Sequence, residues 1–237
     1  MYLVNSTLSI DLTQSWTVST VNALLASKPS DMTTVRRPYL WYDPVSNFIY
    51  ERGGWAYTEN SYSLWSFQPD GHGGVVWNVL QDNSVAEQYT STVFSAFTAS
   101  NAQFYSLSGV VSSETTVNGL VNTTVEGLLT YDFGTSRWSN SSSAGAAQST
   151  YSVQAEAVFM PNFGKVGLLA FLGGDSPPNQ TYQYEEGAAL VDMSNITIYD
   201  PDSETWYHQT ATGSIPPPRS EFCAVGSAPT DNGTYEM

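Results

Sequence analysis

The chain has 237 residues, enough for one large all-β domain or two smaller domains, and it carries a formal net charge of −15. A charge of this sign repels phosphate backbones and anionic membranes, so we exclude nucleic acid as a partner, although the acidity also serves solubility. The single cysteine, Cys223, excludes an internal disulfide framework and a cysteine-based zinc site. Aromatic residues at 14% and charged residues at only 12% favour short strands over helices.

Four phrases that each end in tryptophan recur along the chain. They are LSIDLTQSW ending at Trp16, LWSFQPDGHGGVVW at Trp77, LLTYDFGTSRW at Trp138 and ITIYDPDSETW at Trp206, at separations of 61, 61 and 68 residues. Each phrase has an alternating stretch, an acidic or Asp-Pro turn and a second stretch that carries the tryptophan. This order predicts a β-hairpin in every copy.

Two further strands are predicted ahead of three of these hairpins. The strand nearer to each hairpin ends in glycine, in FIYERGG at Gly54, FYSLSG at Gly109 and LLAFLGG at Gly174. In the middle copy Ser108 replaces the first glycine of the pair. The earlier strand of the three copies is RPYLWYD from Arg37, VFSAFT from Val93 and AEAVFM from Ala155, in chain order. Four short strands at a period of about sixty residues are typical of a β-propeller blade.

The remaining segments give weaker signals. STVNALLASK from Ser19 has room for two helical turns but lacks a helical stripe, and SNSSSAGAAQST from Ser139 is predicted to be a flexible loop. MYLVNSTLSI does not resemble a signal peptide, and the longest apolar stretch, Val166 to Leu172, is too short to span a bilayer. We therefore expect that any signal peptide or membrane anchor lies outside this chain.

Glycosylation sequons predict a secretory route and an extracellular or cell-surface location. The consensus Asn-X-Ser/Thr occurs six times, at Asn5, Asn122, Asn140, Asn179, Asn195 and Asn232.

The glycine pairs, the Tyr-Asp turns and the closing tryptophans resemble the kelch-repeat superfamily. The stretch NITIYDPDSETWYHQTATGSIPPPRSEFCAVG is similar to secreted or cell-surface kelch proteins of filamentous fungi. The resemblance covers essentially the whole chain, is strongest from Gly164 to Met237, and implies a propeller shaped like the central domain of galactose oxidase. The matching positions, which are structural in the family, are Gly53, Gly54, Trp65, Trp77, Gly109, Tyr131, Trp138, Gly173, Gly174, Tyr199 and Trp206.

The resemblance implies one all-β kelch-type propeller domain over residues 1–237. We expect three complete four-stranded blades at about 37–92, 93–149 and 150–215, with a half blade at each end at about 1–36 and 216–237. Two arrangements stay open. Either the chain is part of a longer propeller, or its two half blades pair and close a four-bladed ring.

No motif in the chain predicts catalysis, a metal or a cofactor. His72 and His208 are the only histidines, and neither has metal-binding spacing. An oxidase of the galactose oxidase type needs a cysteine, two tyrosines and two imidazoles around one copper ion, and no motif places Cys223 in such a set. The EFCAVG context of Cys223 fits a buried thiol or a reactive one.

Two pairs of acidic residues are candidates either for acid-base chemistry or for capping turns. Glu185 with Glu186, and Asp200 with Asp202, could act as general acid and base. Carboxylates in turns rich in Asp, Pro and Ser also serve as solvated turn caps.

We therefore expect a non-catalytic extracellular or cell-surface module that binds a protein or carbohydrate partner. Loops such as GGWAYTENSYS from Gly53 to Ser63 either form a binding face or let Trp55 cover a blade edge. The alternatives are a fragment of a copper-dependent carbohydrate oxidase, whose ligands lie in missing blades, and an intracellular kelch adaptor.

Overall fold

The computed structural model describes residues 5–56, 64–80, 92–115, 122–149, 152–177, 181–182 and 189–227. Within these ranges the chain is all-β, and a short 3₁₀ helix at Ala144–Ser149 is the one helical element. None of the described segments forms a helix with the length and apolar character that crossing a membrane requires.

Twenty strands follow one another along the described chain. The first eight are β1 (Ser6–Ile10), β2 (Ala23–Ser27), β3 (Val35–Arg36), β4 (Tyr39–Asp43), β5 (Phe48–Arg52), β6 (Trp55–Ala56), β7 (Leu64–Pro69) and β8 (Val75–Leu80). The next six are β9 (Ala96–Ala99), β10 (Gln103–Leu107), β11 (Val110–Val111), β12 (Thr123–Thr124), β13 (Leu128–Asp132) and β14 (Arg137–Ser141). The last six are β15 (Glu156–Met160), β16 (Leu168–Leu172), β17 (Asp175–Ser176), β18 (Ala189–Leu190), β19 (Asn195–Asp200) and β20 (Thr205–Thr210).

Three antiparallel four-stranded sheets carry the architecture. The first sheet has the order β4-β5-β7-β8, the second β9-β10-β13-β14 and the third β15-β16-β19-β20. Four two-stranded sheets accompany them, namely β1-β2, β3-β6, β11-β12 and β17-β18. The prediction of four short strands per repeat is confirmed for these three copies.

Strand register shows which aromatic residue stands opposite each closing tryptophan. Tyr131 pairs with Trp138 in the second sheet, and Tyr199 pairs with Trp206 in the third. In the first sheet Trp77 pairs with Phe67. Phe67 therefore stands opposite Trp77 as the two tyrosines stand opposite their tryptophans, while Trp65, the residue matched to the family motif, pairs with Val79 on the same two strands.

Acidic residues cap the hairpin turns, which explains why an aspartate recurs there. The Asp132 carboxylate accepts hydrogen bonds from the Thr135 amide at 2.8 Å and its hydroxyl at 2.7 Å. These bonds, the one from the hydroxyl first, hold the pKa of Asp132 below its usual value. Asp200 accepts a bond from the Asp202 amide at 3.0 Å in the same way. The turn-cap interpretation of Asp200 and Asp202 is the one that the geometry supports.

The hairpin β1-β2 packs against the first sheet. Lys28, just after β2, lies 2.5 Å from the Glu51 carboxylate, and both side chains are almost fully buried. The Ser9 hydroxyl donates to the Gly73 carbonyl at 3.0 Å. A groove of about 680 Å³ lies between hairpin and sheet, with Leu24 and Phe67 in its lining.

Three local predictions differ from the structure. Trp16 lies in the connection between β1 and β2, outside any strand, because the partner of β1 comes later in the chain than the first hairpin phrase. The possible helical turns after Ser19 are replaced by β2, since pairing with β1 outweighs a weak helix propensity. The segment predicted as a flexible loop from Ser139 instead contains the end of β14 and the 3₁₀ helix.

Candidate binding face at the inner-strand entries

The first strand of each four-stranded sheet is preceded by a residue with left-handed backbone conformation. Arg37, Phe94 and Gln154 have φ angles of 55°, 64° and 56°, and each lies two residues before its strand, β4, β9 or β15. Glu221, in the segment after β20, repeats the feature with a φ of 53°. Residues other than glycine rarely adopt this conformation, and it often marks functional sites. We name these four residues the entry cluster.

Backbone hydrogen bonds join three of the four members of the entry cluster. The Gln154 amide donates to the Phe94 carbonyl at 2.7 Å, and the Glu221 amide donates to the Gln154 carbonyl at 3.1 Å. The second entry, the third entry and the C-terminal segment are therefore held side by side.

A second set of backbone bonds links the end of one sheet to the next entry. The Gly54 amide, after β5, donates to the Thr92 carbonyl at 3.4 Å, and the Gly174 amide, after β16, donates to the Arg219 carbonyl at 2.9 Å. Thr92 and Arg219 each lie two residues before their entry residue. The C-terminal segment thus joins the third sheet in the way that the second sheet joins the first.

The polar side chains of the entry cluster meet on one carboxylate oxygen. Glu221 Oε1 lies 2.8 Å from Arg37 Nη1 and accepts a hydrogen bond from Gln154 Nε2 at 3.0 Å. The Arg37 guanidinium carbon lies 4.8 Å from the centre of the Phe94 ring. The first sheet, the third sheet and the C-terminal segment therefore contribute one group each to this contact.

An apolar cluster lies beside the entry cluster. Phe94 packs with Val93, Val110, Val153 and Tyr182, all of which are buried. The half-buried Trp55 contacts the Phe94 ring edge to face, with the ring centres 4.8 Å apart. This contact supports the interpretation that Trp55 covers a blade edge, while residues 57–63 of the same predicted loop lie outside the described ranges.

Charged groups of both signs surround the cluster. Arg36 lies over the Trp55 ring, 5.3 Å from its centre. Burial raises the pKa of Asp175, the nearby charge of Glu221 raises it further, and a hydrogen bond with the Ser220 side chain opposes both. The face therefore carries two adjacent arginines and two neighbouring carboxylates.

A buried hydroxyl network fixes the corner between the first two sheets. The Tyr39 hydroxyl shares hydrogen bonds with Ser95 Oγ at 2.7 Å and Thr92 Oγ1 at 3.0 Å. Ser95 Oγ donates in turn to the Ser108 carbonyl at 2.9 Å. Burial raises the pKa of Tyr39 to about 12, so the phenol stays protonated at neutral pH.

The glycine markers lie at these corners, as their backbone angles require. A Cβ on Gly54 would lie 2.6 Å from the Arg36 carbonyl oxygen, and φ at Gly54 is +90°. In the middle copy Ser108 adopts a φ of 59° in place of the first glycine. The copy in which serine replaces the first glycine therefore keeps the left-handed conformation.

The candidate chemical residues are spread over the molecule. His72 lies in the exposed β7–β8 turn of the first sheet, whereas His208 lies on β20 of the third with Nε2 3.0 Å from the Gly145 carbonyl oxygen. Cys223 is exposed, so its thiol is not buried as one interpretation held. Among the described residues no three His, Cys, Asp or Glu side chains form a group suited to a metal ion.

The sequons and the second acidic pair are only partly described. The asparagines of four sequons are exposed, namely Asn5, Asn122, Asn140 and Asn195. Asn179, Asn232, Glu185 and Glu186 lie outside the described ranges.

Sequence reasoning did not find the entry cluster. Its four positions hold Arg, Phe, Gln and Glu, so they share no residue type. For Arg37, Phe94 and Gln154 the available signal was their position at or just before the start of a predicted strand, which becomes informative only once the left-handed backbone is seen.

Comparison with known proteins gives a distant similarity. No protein-family model matches the chain. Over 80 residues the chain is 29% identical to a Kelch repeat-containing protein of Arthroderma benhamiae. The match spans 34% of this chain and 10% of that protein. The similarity agrees with the repeated four-stranded sheets of the fold.

Proposed function

We propose that the chain is a kelch-type repeat module that binds a protein partner through the face around the entry cluster and has no catalytic role. The observation that carries this proposal is the meeting of Arg37, Gln154 and Glu221, from three separate segments, on one partly exposed contact. The distant similarity to a Kelch repeat-containing protein supports it. The division into blades at about 37–92, 93–149 and 150–215 is part of the same proposal.

The scaffold behind this face supports a binding role. Phe94, Val93 and Val153 are buried at the entries, and paired strands follow directly. Rigid sheets hold surface groups in place without a conformational cost at binding, whereas loop sequences can vary freely around them.

A selection experiment tests the binding face. The full chain would be used to select binders from a displayed library of random peptides, and hydrogen exchange would then map where the binders protect it. We expect protection at the entries around Arg37, Phe94, Gln154 and Glu221. Binders that protect only the turns capped by Asp132 and Asp200 would contradict the proposal.

We also propose an extracellular or cell-surface location. The support is the number of sequons and the exposure of the four sequon asparagines in the described ranges. Glycopeptide mass spectrometry of native protein, before and after glycosidase treatment, is expected to show sugar at Asn140 and Asn195. Native protein with unmodified asparagine at every sequon would contradict this location.

A further inference from the structure

The contact between Arg37, Gln154 and Glu221 has the geometry of a carboxylate-binding site. Two donors from segments that lead into different sheets, Arg37 Nη1 and Gln154 Nε2, reach the same oxygen at 2.8 and 3.0 Å. Charge-assisted bonds of this kind are stronger than bonds between neutral groups. The observed occupant of the two donors is a carboxylate that belongs to the chain itself.

Arg37 is oriented before any partner binds. Its guanidinium group rests on Phe94, which is 7% exposed and packed in the apolar cluster beside the entry cluster. Stacking on an aromatic ring lowers the freedom of the guanidinium group without neutralising its charge. Arg36 lies next to it, so two of the seven basic residues of a chain with net charge −15 lie at this face.

The internal carboxylate is held weakly enough to be exchanged. The Arg37 and Glu221 side chains are 47% and 40% exposed, and an ion pair this accessible contributes about 0–1 kcal/mol. Glu221 lies in a segment after β20 that forms no named strand, and Val225 in the same segment is 82% exposed. The side chain can leave while the Glu221 amide keeps its bond to the Gln154 carbonyl.

We propose that Arg37 and Gln154 form a carboxylate-binding site, that Glu221 occupies it in the free chain, and that a carboxylate of a partner protein replaces Glu221. The proposal rests on the proposed function, because it names the partner chemistry of the same face. The partner group is an aspartate or glutamate side chain, or a chain terminus, on an exposed segment. Asp175 lies near Glu221, so an incoming carboxylate takes the place of Glu221 and does not bind beside it, because three neighbouring negative charges would repel one another.

The test uses a fluorescent tetraglutamate peptide and the matching tetraglutamine peptide, with binding followed by anisotropy at about 0.15 M salt, where long-range repulsion is screened. Glu221→Gln removes the internal competitor, and we expect it to bind tetraglutamate roughly fivefold more tightly than the unmodified chain. Arg37→Gln is expected to abolish this binding. Lys165→Gln removes the same charge from an exposed pair with Asp202 and serves as the matched control, with no change expected.

Further variants keep the test decisive. If Arg37→Gln lowers the thermal midpoint too far for binding assays, Arg37→Lys keeps the charge and removes the planar donor group, and we expect weaker binding with normal folding. Equal affinity of Glu221→Gln and the unmodified chain for tetraglutamate would overturn the proposal, as would equal binding of tetraglutamine. Library binders that protect the entry cluster without depending on Arg37 would overturn this inference and leave the proposed function standing.

Discussion

The two interfaces between neighbouring four-stranded sheets are filled by different kinds of side chain. The first interface is aromatic: Trp41 stacks on Phe104 with ring centres 4.1 Å apart, and Tyr50 lies 5.7 Å from Tyr131. The second interface combines small and aliphatic residues with three buried aromatic residues, Tyr105, Phe171 and Tyr199. Its buried members are Ala96, Tyr105, Leu107, Leu128, Ala146, Ala155, Ala157, Leu169, Phe171 and Tyr199.

Equivalent positions show how the difference arises. Tyr39 and Ala96 each follow an entry residue by two positions and each is buried, yet one is large and the other small. At the second interface the third sheet fills the space with Leu169, Phe171 and Tyr199. The backbone repeat thus sets where two sheets meet, and complementary side-chain volumes on the two sheets fill the gap.

The largest expected effect comes from removing an aromatic ring at the first interface. Phe104 is fully buried, so Phe104→Ala deletes its contact with Trp41 and leaves a cavity. We expect the free energy of unfolding, measured by chemical denaturation, to fall by about 3–5 kcal/mol. Leu40→Ala, at a residue 48% exposed, is the control and is expected to change it by under about 1 kcal/mol. Equal losses would contradict the aromatic interface.

Adding volume at the second interface is expected to have the next largest effect. Ala157 is 7% exposed and stands opposite Phe171 on the adjacent strand. Ala157→Leu should lower the free energy of unfolding by about 1–3 kcal/mol, because a well-packed contact does not accept extra methyl groups. The same substitution at the exposed Ala23 should be nearly neutral. A stabilised Ala157→Leu variant would show that the second interface is loosely packed.

Removing the buried phenol at the corner is expected to cost less than either packing change. Tyr39→Phe leaves Thr92 and Ser95 without their shared partner, and we expect a loss of about 1–2 kcal/mol in thermal or chemical unfolding. Tyr42→Phe removes an exposed phenol that donates to Asn47, so it serves as the matched control. Equal losses in the two variants would show that the buried hydroxyl network of Tyr39 does not contribute to the free energy of unfolding.

The smallest effect concerns the acid dependence of the turn caps. The folded pKa of Asp132 lies below its unfolded value, so its contribution to stability is present above the unfolded pKa and disappears as pH falls through the folded one. Asp132→Asn should therefore flatten the acid limb of a stability profile below about pH 4. An unchanged slope would mean that Thr135 does not stabilise the ionised form.

Sequence patterns predicted the repeated part of the fold because strand alternation and turn residues are local signals. The hairpins that end in Trp77, Trp138 and Trp206 and the glycine markers all lie where these signals put them. Strand partners and strand register gave the differences, because neither is fixed by alternation and turn residues alone. β1 pairs with a strand beyond Trp16, and register alone shows that Phe67 faces Trp77.

The entry cluster could not be predicted because it depends on three segments meeting in space. Arg37 and Glu221 are separated by most of the chain, and neither is one of the positions that match the family motif. The entry positions have a left-handed backbone but no common residue type, since Phe94 and Gln154 adopt it as Arg37 does. At the corners between the sheets, the glycines are the residues whose identity indicates a left-handed backbone.

Calorimetric unfolding of the full chain, compared with Phe104→Ala and Ala157→Leu, tests most directly whether the two interfaces unite the sheets into one scaffold for the entry cluster. The account predicts one transition with equal calorimetric and van't Hoff enthalpies, and both substitutions should shift that same transition. Two separate transitions, one lowered only by Phe104→Ala and the other only by Ala157→Leu, would contradict it.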